Sequence, residues 1–156
     1  MEATVIEGLS VSSVLVRVIS NEDAAVVAEL CRQLGYEVSP DMVAARVGSL
    51  SSRTGSQVAF VACIGTDVVG WIEAAITHHL QSAPYSLIGG LVVREGMRGM
   101  GVGKRLCTEV EEWTREKGLA MVRVTSRSSR EDAHRFYLRD GYERIKTSAV
   151  FEKLLA

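Results

Sequence analysis

The stretch Arg94-Glu95-Gly96-Met97-Arg98-Gly99-Met100-Gly101-Val102-Gly103-Lys104-Arg105 has the composition of an anion site. Glycines at 99, 101 and 103 let backbone N–H groups approach a ligand with no Cβ in the way. They open a strongly patterned helix, whose first N–H groups lack intrahelical partners and whose dipole favours negative charge. Arg94, Arg98, Lys104 and Arg105 add cations around the same point. A diphosphate ligand is the physical inference. Two common phosphate loops do not fit. A Walker A loop needs glycine five positions ahead of Gly-Lys and Ser or Thr after it, where this chain has Arg98 and Arg105. A GxGxxG counted from Gly99 or Gly101 would end on Lys104 or Leu106. The plain reading is a tight strand-to-helix turn with no ligand.

Arg-x-x-Gly-x-Gly, at Arg98, Gly101 and Gly103, resembles the acetyl-coenzyme A signature of the GNAT N-acetyltransferase superfamily. Ala133-His134-Arg135-Phe136-Tyr137-Leu138-Arg139-Asp140-Gly141-Tyr142 resembles its second signature, A-x-x-F-Y-x-x-x-G-F/Y. Two motifs in the right order are far more specific than either alone. The resemblance implies a coenzyme A pyrophosphate held by the loop from Arg98, Gly99 and Met100 through Gly101, Val102, Gly103 and Lys104. It implies main-chain bonds to pantetheine from Leu91, Val92 and Val93, with N–H groups there polarising the thioester carbonyl. Phe136 is a further implied coenzyme contact; where the family often has Asn this chain has Arg130, whose longer cationic side chain either reaches a coenzyme phosphate or is simply solvated. Tyr137 is the implied general acid for the departing thiolate; its plain reading is a core aromatic beside Phe136.

The base is less defined. Many relatives carry an acidic residue on the strand before the glycine loop, and Gly89 and Gly90 stand there instead. A bulge at these glycines would splay the strand and leave amides unpaired. Glu73 is the substitute, on the strand face shared with Trp71, Ala75 and Thr77. It is either paired structurally or lines the acceptor cleft. His78 and His79 fall in a loop that the resemblance puts beside the acceptor, and a water-mediated route needs no dedicated base. Cys107 sits on the apolar side of its helix, which argues against a covalent acetyl-cysteine.

The elements that must position these groups follow from pattern. Val14–Ile19 reads as a strand and Ser20 or Asn21 as the cap of a helix carrying Ala24, Val27, Cys31 and Leu34, ended by Gly35. Ser39-Pro40-Asp41 opens a second helix. Residues 49–56 read as a loop, and 57–64 and 68–77 as strands joined by a Gly65-Thr66-Asp67 hairpin. Ser86–Val93 is a strand, and the helix after the glycine loop buries Val102, Leu106, Val110 and Trp113. Leu119–Thr125 is another strand; a Ser128/Glu131 capping box opens a short helix that Gly141 ends; Val150–Leu154 closes the chain as a strand. The fold expected is mixed α/β, with a mostly antiparallel twisted central sheet flanked by helices. A tail (1–13) precedes one GNAT domain (14–156).

Composition excludes several alternatives. The chain is 47% apolar with a net charge of −1, which suits one buried core and not bulk coating of nucleic acid. That total hides an asymmetry: residues 1–93 carry 4 basic and 9 acidic side chains, residues 94–156 carry 14 and 10. The acidic first segment hints at a cationic acceptor. Cys31, Cys63 and Cys107 show no metal spacing and read as buried thiols of a reducing compartment, so no metal is expected. Met1–Ser10 lacks the pattern of a signal peptide and no apolar run spans a membrane, so a cytoplasmic protein without membrane or nucleic-acid partners is expected. The leading reading is an acetyl-CoA-dependent N-acetyltransferase working by direct transfer in a ternary complex. Its acceptor would be a small amine, an aminoglycoside-like polyamine or a protein amine, and a homodimer is an assembly that analogy allows. The alternative is a non-catalytic acyl-CoA-binding module, which Gly89-Gly90 keeps open.

Overall fold

The computed structural model describes residues 13–50 and 54–156; most of the expected tail, and residues 51–53 of the expected loop, lie outside them. The chain forms two compact units, Met1–Val124 and Thr125–Ala156.

The first unit is built on a five-stranded sheet in the order β1-β2-β3-β4-β5. Its strands are β1 (Val14–Val18), β2 (Gln57–Ile64), β3 (Asp67–Thr77), β4 (Tyr85–Val93) and β5 (Val122–Val124). All neighbours pair antiparallel except β4 and β5, which run parallel across the crossover helix. The β2–β3 hairpin turns at Gly65, whose φ of +62° is accessible to glycine at no steric cost.

Helices cover both sheet faces. On one lie α1 (Ala24–Gln33) and α2 (Pro40–Ser49), whose Ala24, Val27, Ala28, Leu30 and Val43 pack with Val61 and Val92, and with Trp71 partly buried beside them. On the other lies α3 (Val102–Glu116), with Val102, Leu106, Val110 and Trp113 at most 1% exposed, as its apolar spacing predicts. Gly70 permits this packing. A Cβ there would stand 2.9 Å from the Val92 carbonyl oxygen and 3.2 Å from Val102 and Leu106, so only glycine lets α3 approach β3 this closely. The entry to α1 is a 3-10 turn (Asn21–Asp23) held by the Asp23 carboxylate. Asp23 accepts from the Ser20 N–H at 2.8 Å and from both terminal nitrogens of Arg17 at 2.7 and 2.8 Å. The Arg17 guanidinium holds the Asp23 carboxyl below its ordinary pKa.

The second unit contains α4 (Glu131–Arg139). Gly141, at φ +90°, ends it as expected, and the Tyr142 N–H returns to the Tyr137 carbonyl at 3.0 Å. Two expectations are corrected here. The Ser128/Glu131 capping box does not form. A turn takes the backbone bonds (Arg130 N–H to Arg127, Glu131 N–H to Ser129), so Arg130 occupies the N-cap and Glu131 the first helical position. Glu131 and Asp132 then face the helix dipole directly. Nor do residues 150–154 form a strand: they join no ladder, and Phe151 is 92% exposed. β-Branched and aromatic residues such as Val150 and Phe151 suit a strand, but pairing decides whether one exists.

Candidate active site

The site begins where β4 parts from β5. Their ladder runs Ser86–Val122, Leu87–Arg123 and Ile88–Val124, then stops. On the other side β4 keeps pairing with β3, but the register jumps from Glu73–Gly90 to Ala74–Ile88, leaving Gly89 as the extra residue of a bulge. Beyond the bulge β4 has one paired edge and one open edge. The Arg94 N–H donates to the Val69 carbonyl, so alternation turns Val92 toward β3 and Leu91 and Val93 toward the open edge. Of the three residues singled out for main-chain bonding, Leu91 and Val93 therefore present their N–H groups outward. Val92 contributes a buried side chain instead.

Glu73 faces the bulge. A Cβ placed on Gly89 or Gly90 would lie 3.5 or 3.4 Å from its Oε1, and one on Gly90 would strike the Trp71 ring at 2.7 Å. The two glycines are thus the space that the Trp71 and Glu73 side chains occupy. The Glu73 carboxylate has no hydrogen-bond or ion-pair partner among the described residues. The residue is exposed, yet partial desolvation of its carboxyl raises the pKa, while the Arg46 charge opposes that rise. The indole N–H of Trp71, on the same face, is buried and makes no hydrogen bond.

The glycine loop runs from β4 into α3. Gly96, Gly99 and Gly101 have φ between +80° and +88°, and Gly101 is the N-cap, so no side chain caps the helix. The first intrahelical bond is Arg105 N–H to Gly101 carbonyl at 3.0 Å, which leaves the N–H groups of Val102, Gly103 and Lys104 without one. Arg98 and Lys104 are exposed beside them and Arg105 partly so. Arg94 is different: its guanidinium donates to the Val68 carbonyl at 2.8 Å and holds the loop's base rather than lining it. These open amides and cations fit a diphosphate, and the free edge at Leu91 and Val93 fits the amide-bearing arm of coenzyme A.

One positioning group escaped the sequence reading. Gln33, the last residue of α1, donates from Nε2 to the Val93 carbonyl at 2.9 Å and accepts the Glu95 N–H at its Oε1 at 2.7 Å. Its carboxamide imitates a neighbouring strand at the point where β4 becomes the loop. The sequence offered no signal for it, since a glutamine at a helix end reads as solvated surface.

In the second unit, Tyr137 lies between Phe136 and Tyr142, with ring centroids 5.2 and 5.7 Å away and both contacts edge-on. Arg130 meets the Asp132 carboxylate at 3.7 Å, with both side chains largely exposed. In the first unit His78 and His79 are both exposed, and His79 Nε2 lies 3.1 Å from the Tyr85 hydroxyl. None of the three cysteines is in a disulfide, and burial raises the pKa of Cys31 and Cys63, which disfavours reactive thiolates. Among the described residues no three His, Cys, Asp or Glu side chains gather around a common point, and no helix is long and apolar enough to cross a membrane.

Residues 24–142, spanning both units, match the acetyltransferase (GNAT) family. The chain belongs to that family. It is 35% identical over 121 residues, 76% of its length and 77% of the relative's, to an aminoalkylphosphonate N-acetyltransferase of Salmonella typhimurium. It is 28% identical over 146 residues, 90% and 93% of the two chains, to an aminoglycoside N(6')-acetyltransferase type 1 of Stenotrophomonas maltophilia. The fold is also that of the solved aminoglycoside acetyltransferase AAC(6')-Iy, bound to a CoA-S-monomethyl-acetylneamine bisubstrate analogue. The TM-score is 0.80 at 19% identity, covering 91% of this chain and 99% of that one. The GNAT chain is an N-acetyltransferase, and its sheet is the mixed, mostly antiparallel one that its sequence predicts.

Proposed function

We propose that this GNAT enzyme transfers acetyl from acetyl-CoA directly to the primary amine of a small molecule, in a ternary complex, with Glu73 as base and Tyr137 as acid. The observation that carries the reading is the Glu73 carboxylate at the bulge, without a hydrogen-bond or ion-pair partner among the described residues, beside the open edge of β4. Relatives that acetylate aminoalkylphosphonates and aminoglycosides support an amine acceptor. A solved relative of the same fold bound to a coenzyme A conjugate supports the donor.

The thioester supplies an activated acyl carbon. The N–H groups of Leu91 and Val93 bind and align the donor along β4, and those of Val102, Gly103 and Lys104 take the pyrophosphate. Glu73 removes a proton from the incoming ammonium, directly or through one water, because only the free amine can attack. As the new N–C bond forms and the C–S bond breaks, the Tyr137 phenol gives its proton to the departing sulfur and is restored by the second proton that the nitrogen loses on becoming an amide. A carboxyl with a raised pKa is suited to this task, being a stronger base than an ordinary glutamate. Gly89-Gly90, which in the sequence suggested a module without a base, instead makes room for a base carried on β3.

Thiol release from acetyl-CoA across a panel of amines, beside calorimetry with coenzyme A alone, tests this. Turnover is expected with at least one small amine, with Tyr137→Phe lowering kcat by about 10²-fold or more while coenzyme affinity holds. Coenzyme binding without turnover on any amine would overturn it.

A further inference from the structure

Arg123, on β5, has no role in the chemistry above, and its surroundings are unusual. Its guanidinium lies over the Tyr85 ring, 4.5 Å from the centroid. Its Nε is buried and hydrogen-bonded to nothing, and no described residue accepts from its terminal nitrogens. A guanidinium carries five donors in a planar fork and is always charged. Cation–π attraction to Tyr85 stabilises the charge but accepts none of those hydrogen bonds. A part-buried donor set of this kind calls for an acceptor from outside the protein.

The register says where that acceptor would lie. Arg123 pairs with Leu87 and Leu87 with Ala75, so Arg123 shares the sheet face of Ala75, Glu73 and Trp71. The opposite face carries Ser86, which bonds Thr114 of α3. Glu73 and Arg123 are thus two strands and two residues apart, about 12 Å between α-carbons at about 4.8 Å per strand and 3.3 Å per residue. Tyr85 is 7% exposed, and its hydroxyl is fixed by His79 at 3.1 Å, so the platform beneath the guanidinium is rigid.

We propose that Arg123 anchors an anionic group on the acceptor, so the substrate is an amine that also bears an oxyanion, and the planar fork takes two oxygens of that group. The amine then lies toward Glu73 and the oxyanion toward β5, which orients the nucleophile along the sheet face. This rests on the reading of Glu73 and the β4 edge as the transfer site. Phosphonate and carboxylate share the chemistry required, and the tetrahedral, doubly charged phosphonate offers the fork more oxygens.

The test compares 3-aminopropylphosphonate, 4-aminobutyrate, n-propylamine and the polycation kanamycin as acceptors for the wild-type enzyme, Arg123→Gln and Arg123→Lys. The wild type is expected to prefer an anionic acceptor over propylamine by about 10- to 100-fold in kcat/KM, the worth of a charge-assisted, bidentate contact. Arg123→Gln should abolish that preference while leaving propylamine turnover and the KM for acetyl-CoA in place, which also shows that the variant is folded. Arg123→Lys, keeping charge without the fork, should restore part of it. Whichever of phosphonate and carboxylate gains more identifies the anion. Equal losses on propylamine and the anionic amines, or a wild-type preference for kanamycin, would overturn the proposal. Calorimetry of 3-aminopropylphosphonate with the donor-free protein keeps the two readings apart. Binding that Arg123→Gln abolishes, without turnover, leaves the anion site standing and removes the transfer reading; wild-type turnover that ignores the anion does the reverse.

Discussion

At the scale of single residues, Glu73 offers a clean separation of catalysis from stability. Desolvation raises its carboxyl pKa above the ordinary value, and the Arg46 charge partly offsets the rise. For a group raised on folding, the stabilising contribution is full below the unfolded pKa and is lost as pH rises through the folded one. Ionised Glu73 is thus mildly unfavourable to the fold at neutral pH, yet ionised is the form a base requires. Glu73→Gln should lower kcat strongly and leave thermal stability at pH 7 unchanged or higher; a paired structural acid would show the opposite. Removing the opposing charge gives the second half of the test. Arg46→Ala should push the Glu73 pKa up further, so the acid limb of the kcat/KM profile moves to higher pH; an unmoved limb would separate Glu73 from the titration. Glu73 was legible in the sequence because a lone acid breaks an apolar strand. Its environment was not, because Gly89-Gly90 read as a loss of function until the register showed that Glu73 and Trp71 fill the space beside them.

At the scale of elements, motifs and periodicity were readable, while pairing and ties between elements were not. The stripe of α3 follows from spacing alone, since four apolar residues at helical intervals leave one way to bury them. The final strand and the capping box failed for the complementary reason: each needs a partner group that the local sequence does not contain. Gln33 belongs with these failures, since its importance lies entirely in what it meets, 60 and 62 residues away. It links α1 to the point where β4 turns into the glycine loop. Gln33→Met keeps the volume and removes both hydrogen bonds, leaving the Val93 carbonyl and the Glu95 N–H unmatched. At about 1 kcal/mol for each bond, the KM for acetyl-CoA should rise roughly tenfold or more while kcat changes little. A fall in melting temperature with an unchanged donor KM would make Gln33 a structural tie and nothing more.

At the scale of the whole molecule, a net charge of −1 conceals a division that only the fold makes meaningful. Counted along the chain, the acidic first segment pointed to a cationic acceptor. Counted in space, the division is less sharp. Asp23 pairs with Arg17 of its own segment, and Arg123, which belongs to the basic second segment, lies on the sheet face that carries Glu73. The basic excess keeps its meaning at the glycine loop, where Arg98, Lys104 and Arg105 surround the open end of α3. Two kinds of attraction should hold a polyanion there, and salt distinguishes them. Exposed cations act through solvent and weaken as the Debye length falls from about 10 Å at 0.1 M to about 3 Å at 1 M, whereas hydrogen bonds from the loop amides act at contact and are screened far less. Calorimetric titration of coenzyme A over that salt range should therefore show affinity falling toward a plateau above zero. Replacing Arg98, Lys104 and Arg105 together by Gln should lower affinity at 0.1 M yet leave that at 1 M close to the wild-type value. Parallel salt dependences in the two proteins would mean that the cations are incidental and that the loop backbone alone binds the diphosphate.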